Sequence, residues 1–106
     1  MSDIKKIMKK ISDTNNYELV VIVSSECTEV QLKNIAFNYA QQLKKLGALT
    51  ISVVSKGRKD FFYKIRKTNN GYFVEIYFNS SPQVLPNYQT KLKLDKNVIR
   101  SLITKA

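Results

Sequence analysis

Histidine is absent from the sequence, and cysteine occurs once, at Cys27. Those two facts exclude several chemistries at once. A Ser-His-Asp or Cys-His nucleophile cannot be assembled. Cys27 has no partner for an intramolecular disulfide and no histidine to share a metal with. The lone thiol fits a reducing compartment. Acidic residues are also scarce, eight against eighteen basic ones. They are scattered, so no carboxylate pair stands ready for acid–base work. No apolar run approaches the ~20 residues that a membrane span needs.

What is present is positive charge. The formal net charge is +10 on 106 residues, a length that suits one domain with one modest core. So much charge on a small body implies a polyanionic partner. Nucleic acid fits better than anionic lipid, because the charge is spread through the folded region. Lysine outnumbers arginine fifteen to three, and Ile and Asn are plentiful. That bias suggests an AT-rich coding genome.

The charge is densest in Lys56–Phe78, KGRKDFFYKIRKTNNGYFVEIYF. Within residues 56–67, Lys56, Arg58, Lys59, Lys64, Arg66 and Lys67 are opposed only by Asp60, and Phe61, Phe62 and Tyr63 lie among them. Thr68-Asn69-Asn70-Gly71 reads as a tight turn, with Asn-Gly supplying positive φ. Tyr72–Phe78 reads as a strand. The expectation is a hairpin with a cationic, aromatic first arm and an apolar second arm. Lysines alone can blunt an edge strand. Aromatics interleaved with the charge point further, to a binding surface.

Along the rest of the chain, residues 1–16 form a basic amphipathic extension to a domain at 17–106. Ile4, Ile7, Met8 and Ile11 keep helical spacing, with Lys5, Lys6, Lys9 and Lys10 opposite. The expectation is an arm retained in the mature protein and ordered on an assembled particle. The competing account is a cleaved presequence, which Asp3 and Asp13 and the lack of arginine fit poorly. Tyr17–Ser24 is an apolar strand of the sheet interior. Thr28-Glu29-Val30-Gln31 is a capping box. It opens a helix whose stripe, Leu32, Ile35, Ala36, Tyr39, Ala40, Leu43 and Leu46, reads as core, and Gly47 ends it. Ala48–Ser55 is a strand, interrupted at Gly57 by a bulge or a close backbone approach. Ser81-Pro82 caps a second helix that Pro86 delays or bends. Val98–Thr104 is the last strand.

The order strand, helix, strand, strand, helix, strand is the split βαβ, or ferredoxin-like, plan of the α+β class. Two helices cover one face of a four-stranded antiparallel sheet. The first and third strands lie centrally, the second at an edge, and the other face is left for a partner. This plan hosts enzymes and binding proteins alike. An acylphosphatase-like site needs an arginine after the first strand, and Ser24-Ser25-Glu26-Cys27-Thr28 offers none. Asn70–Tyr77 comes near the aromatic signature of an RNA-recognition motif, but Phe73 holds its small-residue position. The first strand has no matching aromatic pair.

Three ordered motifs carry a closer likeness: Tyr17-Glu18 followed by aliphatics; Gly57-Arg58-Lys59-Asp60-Phe61-Phe62-Tyr63-Lys64-Ile65-Arg66-Lys67 with Gly71 and Phe73; and Leu92-Lys93-Leu94-Asp95-Lys96-Asn97-Val98-Ile99-Arg100. In these the chain resembles the bacterial-type small-subunit ribosomal protein S6 family, over residues 17–105. Phe61 and Phe62 are bulkier than the usual Leu-Ala of that family, and the extension is atypical of it. The resemblance implies a non-enzymatic constituent of the small ribosomal subunit, without cofactor, metal or small-molecule substrate. It implies binding to the central domain of small-subunit rRNA together with ribosomal protein S18. The ribosome would be that of a mitochondrion or plastid, or of an AT-rich bacterium. A free module of RNA-recognition type is the alternative. The expected rRNA-contacting residues are Lys56, Arg58, Lys59, Lys64, Arg66, Lys67, Lys93, Arg100, Lys105 and Tyr17. Phe62 and Tyr63 are expected to stack on RNA or meet the protein partner.

Overall fold

The structure is a computed structural model that describes residues 14–65 and 68–106. Of the expected arm at residues 1–16, residues 1–13 lie outside the described residues, as do Arg66 and Lys67 with the roles given to them, whereas Asn15 and Asn16 belong to the first strand. Strand β1 (Asn15–Ser24) leads to helix α1 (Glu29–Lys45), strands β2 (Leu49–Ile65) and β3 (Thr68–Ser80), helix α2 (Leu85–Leu94) and strand β4 (Val98–Lys105). The sheet order is β2-β3-β1-β4, and every pairing is antiparallel. This is the ferredoxin-like arrangement, with the apolar β1 and β3 central and the basic β2 at an edge.

Local chemistry sets the element ends. The Thr28 side chain accepts from the Gln31 N–H at 3.2 Å, and the Gln31 side chain accepts from the Thr28 N–H at 2.8 Å. The reciprocal pair satisfies two donors that the first turn of α1 leaves free. Gly47 ends that helix at φ 91°. Ser81 caps a single 3-10 turn, Pro82–Val84, before α2 begins at Leu85. Pro86 then falls in the first turn of α2, where a missing N–H costs nothing.

The core lies between the helices and one sheet face. Leu19, Leu43, Ile76, Tyr88 and Leu92 are fully buried, and each such side chain contributes about 1.5–3 kcal/mol. Leu46 departs from the expected stripe. It stands past the last helical residue, as the cap, and is exposed.

The hairpin differs from its sequence reading. Ile65 pairs with Thr68, whose hydroxyl donates to the Ile65 carbonyl at 2.6 Å, so β3 already runs at Thr68. Asn70 and Gly71 are strand residues, paired with Asp60 and Lys59. Gly71 is not at positive φ. It is glycine because the sheet is tight there: a Cβ would lie 2.8 Å from Ile22 Cγ2 and 3.0 Å from the Val23 carbonyl. Cross-strand pairing, not local turn preference, fixes this segment.

Gly57 is a bulge, as its spacing suggested. Ser55 opposes Val74 and Gly57 opposes Phe73, so β2 carries one extra residue there, and Gly57 holds φ 81°. Because faces alternate along a strand, the extra residue exchanges the two faces for everything after it.

Candidate binding surface

The bulge decides where the cations go. Lys56 reaches Glu75 on the open face, the sheet face away from the helices, at 3.9 Å. Lys59, opposite Gly71, lies on the same face with its ammonium 5.5 Å from the centre of the Phe73 ring. Phe61 joins them, its ring 5.9 Å from that of Phe73. Arg58 pairs with Tyr72 and so lies on the helix-bearing face. Among the described residues the basic arm is thus divided between faces and not gathered into one patch.

Beyond Asp60 the regular ladder lapses until Ile65. Phe62 and Tyr63 stand there 101% and 85% exposed, beside an exposed Lys64. No folding reason accounts for two large aromatics left wholly in water. The three other expected cations lie at the opposite edge. Lys93 on α2 and Arg100 on β4 line one shallow cleft, and Lys105 sits at the far end of β4 opposite Tyr17. Three inter-strand steps of about 4.8 Å separate the two edges.

Tyr17 is a correction. Its ring is 5% exposed in the core, 5.6 Å from that of Phe78. The strand parity that buries Leu19, Val21 and Val23 buries Tyr17 too, so it offers no face to RNA. Its place in the family motif reflects packing.

Sequence reasoning missed two features. One is a groove between α1 and β2 lined by Leu32, Phe37, Val53 and Tyr72. Phe37 is 62% exposed and falls outside the helical stripe, and that misplaced aromatic was the available signal. The other is an acidic spot on the open face. The Tyr77 hydroxyl donates to Glu75 at 2.7 Å, with Glu18 at 3.5 Å on its other side. The bond to Glu75, then burial, then the charges of Glu18 and Glu75 push the Tyr77 phenol up to about 12. The open face is therefore a poor stacking platform for bases. Phe73 is covered by Phe61 and Lys59, Tyr77 is held by carboxylates, and two acids sit among them. This weighs against a free module of RNA-recognition type.

Burial pushes the Cys27 thiol above its ordinary value, and the charges of Asp95 and Glu26 add to the shift. Such a thiol is a core hydrophobe rather than a nucleophile. Among the described residues no three His, Cys, Asp or Glu side chains cluster. What the surface offers is charge for a polyanion and exposed aromatics for a contact. The class is a basic binding module on a ferredoxin-like scaffold.

The family model for ribosomal protein S6 matches residues 16–105. The chain is 42% identical over 93 residues to the small ribosomal subunit protein bS6c of Trieres chinensis, covering 88% of this chain and 97% of that one. It is 30% identical over 88 residues to bS6 of Porphyromonas gingivalis, covering 83% and 75%. The crystal structure of 30S ribosomal protein S6 from Thermotoga maritima superposes with a TM-score of 0.82 over 88% of each chain, at 22% identity, a likeness of fold. The chain belongs to the ribosomal protein S6 family, whose members are structural, non-enzymatic constituents of the small ribosomal subunit.

Proposed function

We propose that this chain binds small-subunit rRNA, in the central domain, together with ribosomal protein S18. The observation that carries the reading is the projecting end of the β2–β3 hairpin, where Phe62 and Tyr63 are fully in water beside Lys64. Lys56, Arg58 and Lys59 at that edge, and Lys93, Arg100 and Lys105 at the other, supply phosphate contacts that position the protein without reading sequence. Arg66 and Lys67 join the first group by their place in the motif. RNA shape and the protein partner supply specificity. Phe62 and Tyr63 serve as the aromatic anchors, the residue type that dominates small interfaces.

The proposed home is a plastid ribosome. In support, relatives from the algae Trieres chinensis and Phaeodactylum tricornutum are bS6c proteins, the second 34% identical over 87 residues. Ribosomes from isolated organelles and from whole lysate should be sedimented in low salt and the fractions probed for this chain. It should travel with the small subunit of the plastid preparation. Recovery only in the soluble top fractions, with tight binding to short unstructured RNA, would overturn the proposal.

A further inference from the structure

The three strand pairings bring one open-face residue of each strand into a single row. Val54 opposes Glu75, Glu75 opposes Val20, and Val20 opposes Leu102. The row crosses the whole sheet in roughly 14 Å, three inter-strand steps. The sheet face of an antiparallel fold that meets water is ordinarily polar at such positions. Three of these four residues are apolar, and Val54 and Leu102 are 36% and 57% exposed. The branched Val20 and Val54 suit any strand. Leucine has no such preference, so folding gives no reason for Leu102. Exposed apolar groups framed by polar ones mark an interaction site.

The charge beside the row selects what fits there. Glu75 lies within it, and Glu18 follows in the next row, opposite Tyr77 and Thr104. The Tyr77 hydroxyl donates to Glu75 at 2.7 Å and so fixes that carboxylate. Lys56 reaches Glu75 from the border of the face at 3.9 Å, a loose pair. Glu18 meets no cation among the described residues. Phosphate is repelled from such a surface. A second copy would bring the same carboxylates and a further +10 of net charge. A segment that is both apolar and cationic satisfies the row and its acids together.

We propose that the row Val54–Glu75–Val20–Leu102 docks a basic, apolar segment of another protein. Apolar side chains of that segment cover Val54, Val20 and Leu102, and a lysine or arginine meets Glu75 and Glu18. Val20 and Leu102 then shield the ion pair from water, which strengthens it. The row is a different surface from the hairpin end that carries Phe62 and Tyr63. One chain can therefore hold RNA and this protein segment at once, and the proposal stands or falls apart from the rRNA reading.

Amide chemical shifts of the isotope-labelled full chain test it with three probes. These are an amphipathic Leu–Lys peptide, the same peptide with Glu for every Lys, and a short single-stranded RNA. The Leu–Lys peptide should move the amides of Val20, Val54, Glu75 and Leu102. The Leu–Glu peptide should bind the row roughly tenfold more weakly, because like charges are brought together. RNA should leave the row unmoved. Leu102→Lys should weaken the Leu–Lys peptide roughly tenfold for the same reason. Should that variant disturb the sheet, Thr104→Lys places the charge beside Glu18 at another exposed position and should act in the same direction. Five results would each overturn the proposal: no shift of the row with the Leu–Lys peptide, equal binding of both peptides there, movement of the row by RNA, movement on concentrating the chain alone, or peptide binding that ignores both variants.

Discussion

Tyr39 on α1 donates its phenolic hydrogen to Asp95, the residue that closes α2. The opposite oxygen of that carboxylate accepts from the Asn97 N–H at 2.9 Å. The Tyr88 hydroxyl in turn donates to the Tyr39 carbonyl at 3.0 Å, and the two rings meet edge to face. The Asp in Leu92-Lys93-Leu94-Asp95 therefore belongs to a latch tying both helices to the start of β4. Removing it with Tyr39→Phe should cost about 1.5–3 kcal/mol, as bonds to charged groups do, measured by urea unfolding at neutral pH.

The same latch makes stability fall in alkali. Burial, then the bond to Asp95 and its charge, push the Tyr39 phenol well above its ordinary value, and burial does most of the same for Tyr88. The folded state holds protons that the unfolded chain releases near pH ~10. The stabilisation is complete below that pH and declines as the pH rises above it. Unfolding series on either side of pH ~10 should show the wild type losing more stability than Tyr39→Phe. Equal losses would remove Tyr39 from the account.

Two glycines should respond for different reasons. Gly71→Ala puts a methyl against Ile22 and the Val23 carbonyl, and a backbone oxygen cannot rotate away. The expected loss is about 1–3 kcal/mol. At Gly57 a Cβ meets nothing within 4 Å, but φ is 81°. Gly57→Ala should cost about 1 kcal/mol, and Gly57→Asn less, since Asn visits that region more readily. Thermal melts of the three variants give the comparison.

Replacing Arg58, Lys59 and Lys64 together by Ala should alter stability little, since exposed positions usually stay within ~0.5 kcal/mol each. Lys59 should be the costliest of the three, because its ammonium lies over Phe73, worth about 0.5–1 kcal/mol. Binding to small-subunit rRNA should weaken, and the logarithmic salt slope should fall by roughly 0.7 to 0.9 for each phosphate that is no longer neutralised. An unchanged slope would leave these residues as edge-strand solvation.

Phe62→Ser with Tyr63→Ser should leave the melting temperature unchanged, because neither ring is covered. If the pair anchors the complex, the dissociation constant for rRNA with S18 should rise more than tenfold, as a loss of ~2 kcal/mol or more implies. Titration with and without S18 would separate stacking on RNA from contact with the protein.

The sequence made legible whatever depends on neighbours in the chain. Thr28 and Gln31 announce the start of α1, and Gly47 its end. Pro86 announces the late start of α2, and the apolar run Tyr17–Ser24 a central strand. What stayed hidden depends on distant partners. Asn70-Gly71 carries a strong local turn signal, yet the pairing of Gly71 with Ser24 and Lys59 overrides it. Tyr17 looks like an exposed ring beside a basic edge until parity with Leu19 buries it. The face taken by each cation after Lys56 could be assigned only once the bulge was placed against β3. The Glu18–Tyr77–Glu75 group joins residues 59 apart in the chain at its extremes, a separation no local pattern spans.

The bulge at Gly57 also governs which changes of chain length β2 can absorb. Ser55 and Gly57 already oppose consecutive residues of β3, so deleting the one extra residue, Lys56, would close the bulge into a continuous ladder and leave Lys59 and Phe61 on the side occupied by Phe73. A single deletion between Gly57 and Phe61 with the bulge kept would instead turn Phe61 off Phe73, and a nearby insertion would restore it. Viable length variants of this strand should therefore be single losses at the bulge itself, or changes in even steps beyond it.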